Sequence, residues 1–187
     1  MGGGTGWLLL IVAAELERRN MLSYDGYNRL LAPSLLLFTV ALSAAPRALH
    51  VDRRTTKVGL TVAAVGAGLL LVGNLIEFYG VLFQDQLNAN AAREAGRSEH
   101  WIGSDIGWMT FGFGMLSLVT GGFLTALGLR RSGFRPWWVG VFAATLGLGV
   151  LAGNLFGPGP AFVSVPALGL YGAGWICFGI LVKSRGG

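Results

Sequence analysis

The chain is poor in charged residues and in cysteine. Of its 187 residues only 12% are Asp, Glu, Lys or Arg and one is a cysteine, whereas an ordinary soluble domain is about 25% charged. This low charge, with 53% apolar residues and a mean hydropathy of +0.60, argues against a soluble enzyme, a disordered tail and a nucleic-acid-binding module. The lone Cys177 excludes an intrachain disulfide and a cysteine-based metal site. We expect it to be a small, buried hydrophobic side chain.

Histidine is also scarce, and the common catalytic motifs are missing. The two histidines, His50 and His100, fall in polar segments between apolar runs, whereas haem and metal sites in membranes generally need histidines inside the helical bundle. The sequence contains no GxxxxGK[ST], HExxH, GxSxG or CxxC pattern. We therefore predict no catalytic residues, no metal site and no cofactor, and we favour a non-catalytic role.

What the sequence does contain is a series of five long apolar runs. Lipid cannot satisfy backbone N–H and C=O groups, so each spanning segment has to be helical, and about 20 apolar residues are enough to cross a bilayer. The sequence predicts a single all-α integral membrane domain over 1–187, a bundle of five transmembrane helices. The spans are predicted over 28–46, 58–83, 106–129, 137–156 and 161–182.

A shorter apolar stretch, Trp7 to Ala14, precedes these runs. Its eight residues make about 12 Å of helix, too little for a hydrocarbon core of about 30 Å. The charged residues 15–19 that follow predict a helix at the membrane surface over 7–19. A signal peptide is the alternative, although the leading MGGGTG has no positively charged region.

The charges are distributed unequally between the loops. If the five spans alternate, one side of the membrane receives nine Lys and Arg against Asp52, and the other receives five against seven acids. Short loops rich in Lys and Arg stay in the cytoplasm, so we predict an external N-terminus and a cytoplasmic C-terminus in a bacterial or archaeal cell membrane. The basic loops contain few aromatic residues, so they favour anionic lipids at the cytoplasmic face over nucleic acid as the partner.

The sequence also indicates an internal repeat. An offset of about 80 residues aligns AAVGAGLLLVGNL, from Ala63, with AATLGLGVLAGNL, from Ala143. The repeating unit would contain two spans, so the copies would be related by an axis along the membrane normal, and the fifth span would be an unpaired C-terminal extra. Chance similarity between two glycine-rich helices is the alternative.

Small residues four positions apart predict where helices pack. Such spacing lets helix backbones approach closely in lipid, and it occurs at Gly149 with Gly153, at Ala64 with Gly68 and at Gly103 with Gly107. We interpret these pairs as packing within the bundle, with a dimer face as the alternative. Trp175, near the middle of the last run, is expected to fill the bundle core.

One ionisable residue, Glu77, lies within a predicted span. Asn74 precedes it by about one helical turn and shares its face, and Asn154 is the repeat counterpart of Asn74. Asp105 and His100 are expected at the same membrane level. These five residues form our candidate ligand or ion site, an outward-facing polar vestibule that would bind a cation or exchange protons. The alternative is that the Asn and Glu side chains at the helix ends reach headgroups and water while they form hydrogen bonds with neighbouring helices.

The sequence therefore leaves three functions open. The first is a non-catalytic structural or accessory subunit of a membrane assembly, which associates with itself or with a larger complex. The second is a small transporter or channel for a cation, a proton or a small solute, based on the polar residues around Glu77. The third is a lipid- or quinone-handling membrane enzyme, for which the sequence offers no set of catalytic residues.

Overall fold

The computed structural model describes residues 24–48, 54–79, 102–133, 135–156 and 164–185, together with isolated positions before residue 22. Within these residues all regular structure is helical. The five helices are α1 (Tyr24–Ala48), α2 (Arg54–Tyr79), α3 (Ile102–Arg131), α4 (Arg135–Phe156) and α5 (Ser164–Arg185). Each predicted span overlaps one of these helices. The predicted surface helix over 7–19 lies almost entirely outside the described residues.

Helix α3 ends in a tight turn that leads directly into α4. The amide of Ser132 donates to the carbonyl of Gly128 at 3.1 Å, and the amide of Gly133 donates to that of Arg130 at 3.1 Å. Gly133 has a φ of 78°, a left-handed conformation that glycine adopts without steric cost, so it caps the helix in the usual way. Consequently α3 and α4 form a hairpin.

Successive helices pack antiparallel. In the first pair, the hydroxyl of Tyr79 near the end of α2 donates to the carbonyl of Arg29 near the start of α1, at 2.7 Å. In α3 and α4, the ring centroids of Phe123 and Phe142 lie 5.8 Å apart. In α4 and α5, a methyl group placed on Gly174 would lie 2.8 Å from Cβ of Ala144. The chain thus runs up and down through five neighbouring helices.

An aromatic cluster links the first helix to the last. The ring of Phe38 in α1 lies 5.7 Å from that of Tyr171 and 5.6 Å from that of Trp175, both in α5. Phe178 continues the cluster at 5.6 Å from Trp175. All four pairings within the cluster are edge-to-face, the arrangement that aromatic rings prefer. One hydrophobic core therefore includes residues of all five helices, and Trp175 packs against it as expected.

The exposed surface of the helices is largely apolar. Three helical segments are long and apolar enough to cross a membrane, namely Arg29–Arg47, Arg54–Tyr79 and Ile106–Arg131. Within α4 and α5 the described apolar stretches are shorter, Trp138–Gly149 and Gly169–Ile180. The molecule is therefore an all-helical protein with several helices suited to a membrane.

Several threonines in the described helices satisfy their hydroxyls locally. Thr39, Thr110, Thr125 and Thr145 each donate to the carbonyl four residues earlier, at 2.7 Å. This bond makes a hydroxyl compatible with an apolar environment because its proton no longer needs water. Thr125 and Thr145 are accordingly fully buried between helices.

The prediction for Cys177 is wrong. The residue is exposed on α5, whereas Gly174 and Phe178, on the neighbouring side of the same helix, are buried. Cys177 lies at the edge of the α4–α5 interface, where a methyl group placed on Gly140 would lie 3.8 Å from its Cβ, so contact with α4 does not bury it. In a helix that is apolar all round, composition alone does not say which face a small side chain occupies.

Candidate functional site

Among the described helices, the most extensive contact is between α2 and α3. We call this interface the glycine seam. It consists of residues that alternate three and four positions apart on each helix, the spacing of a coiled-coil interface. On α2 they are Thr56, Gly59, Ala63, Gly66, Leu70, Gly73 and Glu77, and on α3 they are Gly107, Phe111, Gly114, Leu118, Gly121, Thr125 and Gly128.

Across the interface, every glycine of the seam faces the side chain or the backbone of a larger residue on the other helix. A methyl group placed on Gly66 would lie 2.6 Å from the amide nitrogen of Leu118, and one on Gly114 would lie 2.7 Å from that of Leu70. One on Gly73 would lie 2.8 Å from the amide nitrogen of Phe111. Real Cβ atoms essentially never come this close to another backbone. The two helices therefore touch backbone to backbone.

Such close approach also brings backbone groups together. Methyl groups placed on Gly66 and Gly73 would lie 2.8 Å from the carbonyl oxygens of Gly114 and Gly107. The Cα–H groups of these glycines consequently face carbonyl oxygens of the other helix, an arrangement that adds weak hydrogen bonds at helix–helix interfaces. In lipid, close van der Waals packing of this kind drives helix association because no hydrophobic gain is available.

Glu77 lies at the end of the seam that is distant from the α3–α4 turn. Only 4% of its surface is exposed, and Asn74 on the same face is completely buried. A methyl group placed on Gly107 would lie 3.0 Å from Oε2 of Glu77. Because glycine has no side chain, position 107 leaves room for the carboxylate. Glu77 is therefore turned into the helix interface.

Helix α1 covers the same end of the molecule. The guanidinium carbon of Arg29 lies 5.9 Å from the ring centroid of Tyr79, and the hydroxyl of Tyr79 donates to the Arg29 carbonyl. Both residues are exposed. Three helices thus meet around the turn of α2 that contains Glu77.

Two of the five predicted site residues, Glu77 and Asn74, are brought together. Asp105 lies in the first turn of α3 and Asn154 in the last turn of α4, but their side chains are outside what the structure describes. His100 lies outside the described residues altogether. Among the described residues, no three His, Cys, Asp or Glu side chains are grouped so that they could hold a metal ion. Carboxylate and amide oxygens are, however, ligand types that hard cations use, and a carboxylate can also take up a proton.

Sequence reasoning missed the glycine seam as a continuous interface, although it predicted packing at Gly107. The four-residue spacing does not mark a contact at Gly149, where no described atom lies within 4 Å of an added methyl group. The sequence pattern that indicates the seam is a seven-residue period of glycines, at 59, 66 and 73 on one helix and at 107, 114, 121 and 128 on the next. Two helices with matching periods predict a shared interface.

The fold and this site define an all-helical protein with membrane-compatible helices and a buried carboxylate at the end of a closely packed helix pair. The chain matches no protein-family model, no curated protein and no solved structure. Its function therefore has to be inferred from its own residues.

Proposed function

We propose that the protein is a multi-pass integral membrane protein that acts as a non-catalytic structural or accessory subunit of a membrane assembly. The observation that carries this proposal is the glycine seam. Backbone contact along the full length of α2 and α3 resists rearrangement, because a packed interface is not continuously deformable. A rigid helix pair suits a scaffold better than a carrier that must open alternately to both sides.

The proposal includes five membrane spans. Helices α4 and α5 have 22 residues each, which gives each a length of about 33 Å, close to the hydrocarbon thickness of about 30 Å. We also propose that residues 7–19 form a surface helix. The unequal loop charges support an external N-terminus and a cytoplasmic C-terminus in a bacterial or archaeal cell membrane.

The register of the helices supports the proposed parallel repeat. In the first hairpin a methyl group on Gly68 would lie 3.9 Å from Thr39, and in the second one on Gly122 would meet Thr145. An offset of 80 residues carries Thr39 and Gly68 to positions 119 and 148. In an antiparallel pair, three residues forward on one helix correspond to three residues back on the other. Positions 119 and 148 are therefore in the same register as 122 and 145. The α1–α2 and α3–α4 hairpins therefore pair in the same register.

Extraction in mild detergent tests the accessory role. We expect the protein, expressed at its native level, to co-purify with a partner at a fixed stoichiometry that is the same in two different detergents. The purified protein alone, reconstituted into liposomes, should carry no proton or cation flux above that of empty liposomes. A monodisperse monomer in both detergents would contradict the proposal.

The second candidate is a small transporter or channel, and it is favoured by the burial of Glu77 beside Asn74. Ionisable residues inside membranes are expensive and usually functional. In this case reconstituted protein should carry a proton or monovalent-cation flux that falls at least about tenfold in Glu77→Gln and in Asn74→Ala.

Thr56→Ser is the matched control, because Thr56 is buried at the opposite end of the same seam. It should leave the flux unchanged. If the wild-type flux is measurable but both substitutions at the Glu77 end leave it unaltered, the polar cluster is not a transport site.

A further inference from the structure

Five exposed cations gather at one end of the bundle, which we call the basic end. They are contributed by the last turn of α1, the first turn of α2 and the last turn of α3. The residues are Arg47, Arg54, Lys57, Arg130 and Arg131. Among the acidic residues, Glu77 is the one whose side chain lies within the described part of the structure, and it is buried at the opposite end of α2. Within the described side chains, the basic end is therefore uniformly positive.

The glycine seam brings the basic ends of α2 and α3 next to each other. Thr56 in the first turn of α2 lies against Gly128 near the end of α3, where an added methyl group would meet its amide nitrogen at 2.7 Å. Lys57 follows Thr56 directly, and Arg130 and Arg131 follow Gly128 by less than one turn. Like charges repel, so a cluster of this kind needs a negative counterpart.

An aromatic residue fixes one of these cations at the depth of a membrane interface. The guanidinium carbon of Arg130 lies 5.7 Å from the ring centroid of Trp138 in α4, within the range of a cation–π interaction. Trp138 is half-buried and packs against Phe142 at 6.0 Å. Tryptophan is enriched where apolar and aqueous phases meet. A guanidinium held in this way presents several N–H donors in a geometry that fits phosphate oxygens.

Exposed apolar side chains lie directly beneath the cations. Val58 follows Arg54 by four residues, and Leu127 precedes Arg131 by four, so each lies one helical turn further into the bundle on the same face. Both side chains are exposed. Positive charge above and apolar surface below match the headgroup and the first acyl carbons of a lipid. A soluble phosphate or a nucleic acid would leave the apolar part uncovered.

We infer that the basic end binds the headgroup phosphate of an anionic phospholipid at the end of α3, with Arg130 and Arg131 as the phosphate contacts and with Arg54 and Lys57 of α2 adding to the positive charge around it. The acyl chains lie along Leu127, one helical turn below Arg131. This inference rests on the proposed insertion of the helices into a bilayer, and it does not depend on whether the protein is an accessory subunit or a transporter. It adds a specific lipid site to the general positive charge of the cytoplasmic loops.

The test uses the purified full-length protein in a mild detergent, with dioleoyl-phosphatidylglycerol as the probe and dioleoyl-phosphatidylcholine as the zwitterionic comparison. Binding is measured by native mass spectrometry and by the rise in Tm with lipid concentration. We expect phosphatidylglycerol to bind more tightly than phosphatidylcholine. Arg130→Gln with Arg131→Gln should weaken this binding between about 10- and 30-fold, since each basic residue contributes about 1 kcal/mol at an anionic surface.

Arg19→Gln with Arg29→Gln is the matched control, because it removes the same charge away from the basic end and should leave the affinity unchanged. Arg54→Gln with Lys57→Gln provides a second test if the first double variant does not fold. Equal binding of the two lipids, or equal loss in test and control variants, would overturn the inference. Inorganic phosphate that competes at the same concentration as the lipid would show that the site accepts free phosphate instead. Incorporation of the protein into phosphatidylcholine nanodiscs tests the membrane insertion separately.

Discussion

At the scale of single residues, the glycines of this protein differ in what they face. A methyl group on Gly66 or Gly114 would meet backbone atoms of the opposite helix, whereas the three atoms nearest to one on Gly122 all belong to the side chain of Thr145. Backbone cannot move without shifting a whole helix. A side chain can be replaced by a smaller one, so the Gly122 contact should be repairable by substitution.

The first prediction concerns Gly122 and Thr145. Gly122→Ala should lower the stability by about 1–3 kcal/mol, the usual cost of overpacking a close contact, and Thr145→Ala should restore most of it because the obstructing hydroxyl and methyl are removed. The measurement is thermal unfolding of the purified single and double variants in the same detergent. Purely additive effects of the two substitutions would show that these residues are not in contact.

The burial of Glu77 also belongs to this scale. The sequence predicts that Glu77 and Asn74 share a face, and the structure buries both. It does not predict that the carboxylate turns into the interface opposite Gly107. The reason is that a glutamate near the end of a span can either extend toward water or fold into a neighbouring helix, and the choice depends on whether that helix offers space.

At the scale of the elements, the seam decides how α2 and α3 pair. The glycines alternate with larger residues, so each gap on one helix receives a residue of the other, as in a coiled coil. The four-residue spacing that we expected to mark the contacts is less informative here. The seven-residue period marks one continuous contact face along the whole helix, because helices that cross with a left-handed twist keep residues seven apart against the partner helix.

The second prediction compares two glycines in helix interiors. Gly66→Ala should destabilise the protein by about 1–3 kcal/mol, because the new methyl group would lie 2.6 Å from the amide nitrogen of Leu118. Gly149→Ala, for which no described atom lies within 4 Å, should be neutral or slightly stabilising because alanine favours helix more than glycine does. Both are measured by thermal unfolding. Equal loss in the two variants would mean that the seam is not closely packed.

At the scale of the whole molecule, the aromatic cluster joins the two ends of the helical chain. Neighbouring helices are connected by the sequence itself, whereas α1 and α5 meet only because the chain folds back on itself. Phe38 supplies the contact from α1, and Tyr171 and Trp175 supply it from α5. The cluster therefore contributes to closing the bundle, while α1 also packs along α2.

The third prediction is a double-mutant cycle on this contact. Phe38→Leu and Trp175→Leu should show a coupling energy of about 0.5–1.5 kcal/mol, the contribution of an aromatic pair beyond its buried area. Phe123→Leu with Trp175→Leu is the control, since no ring contact joins these two residues in the described part of the molecule. The control pair should be additive within about 0.5 kcal/mol. Additivity in both pairs would show that α1 and α5 are not in contact through Phe38.

The sequence by itself determined that the chain is helical, where the helices lie and that one end of the bundle is basic. Each of these properties depends on local composition, since long apolar runs and the placement of Lys and Arg need no knowledge of the partner helix. Only the tertiary structure decided that α2 and α3 touch along their glycines, that Glu77 fills the gap at Gly107, that Cys177 is exposed and that α1 reaches α5. The physical reason is that helices which are apolar on every side carry no amphipathic signal, so their contacting faces are selected by shape complementarity between two segments.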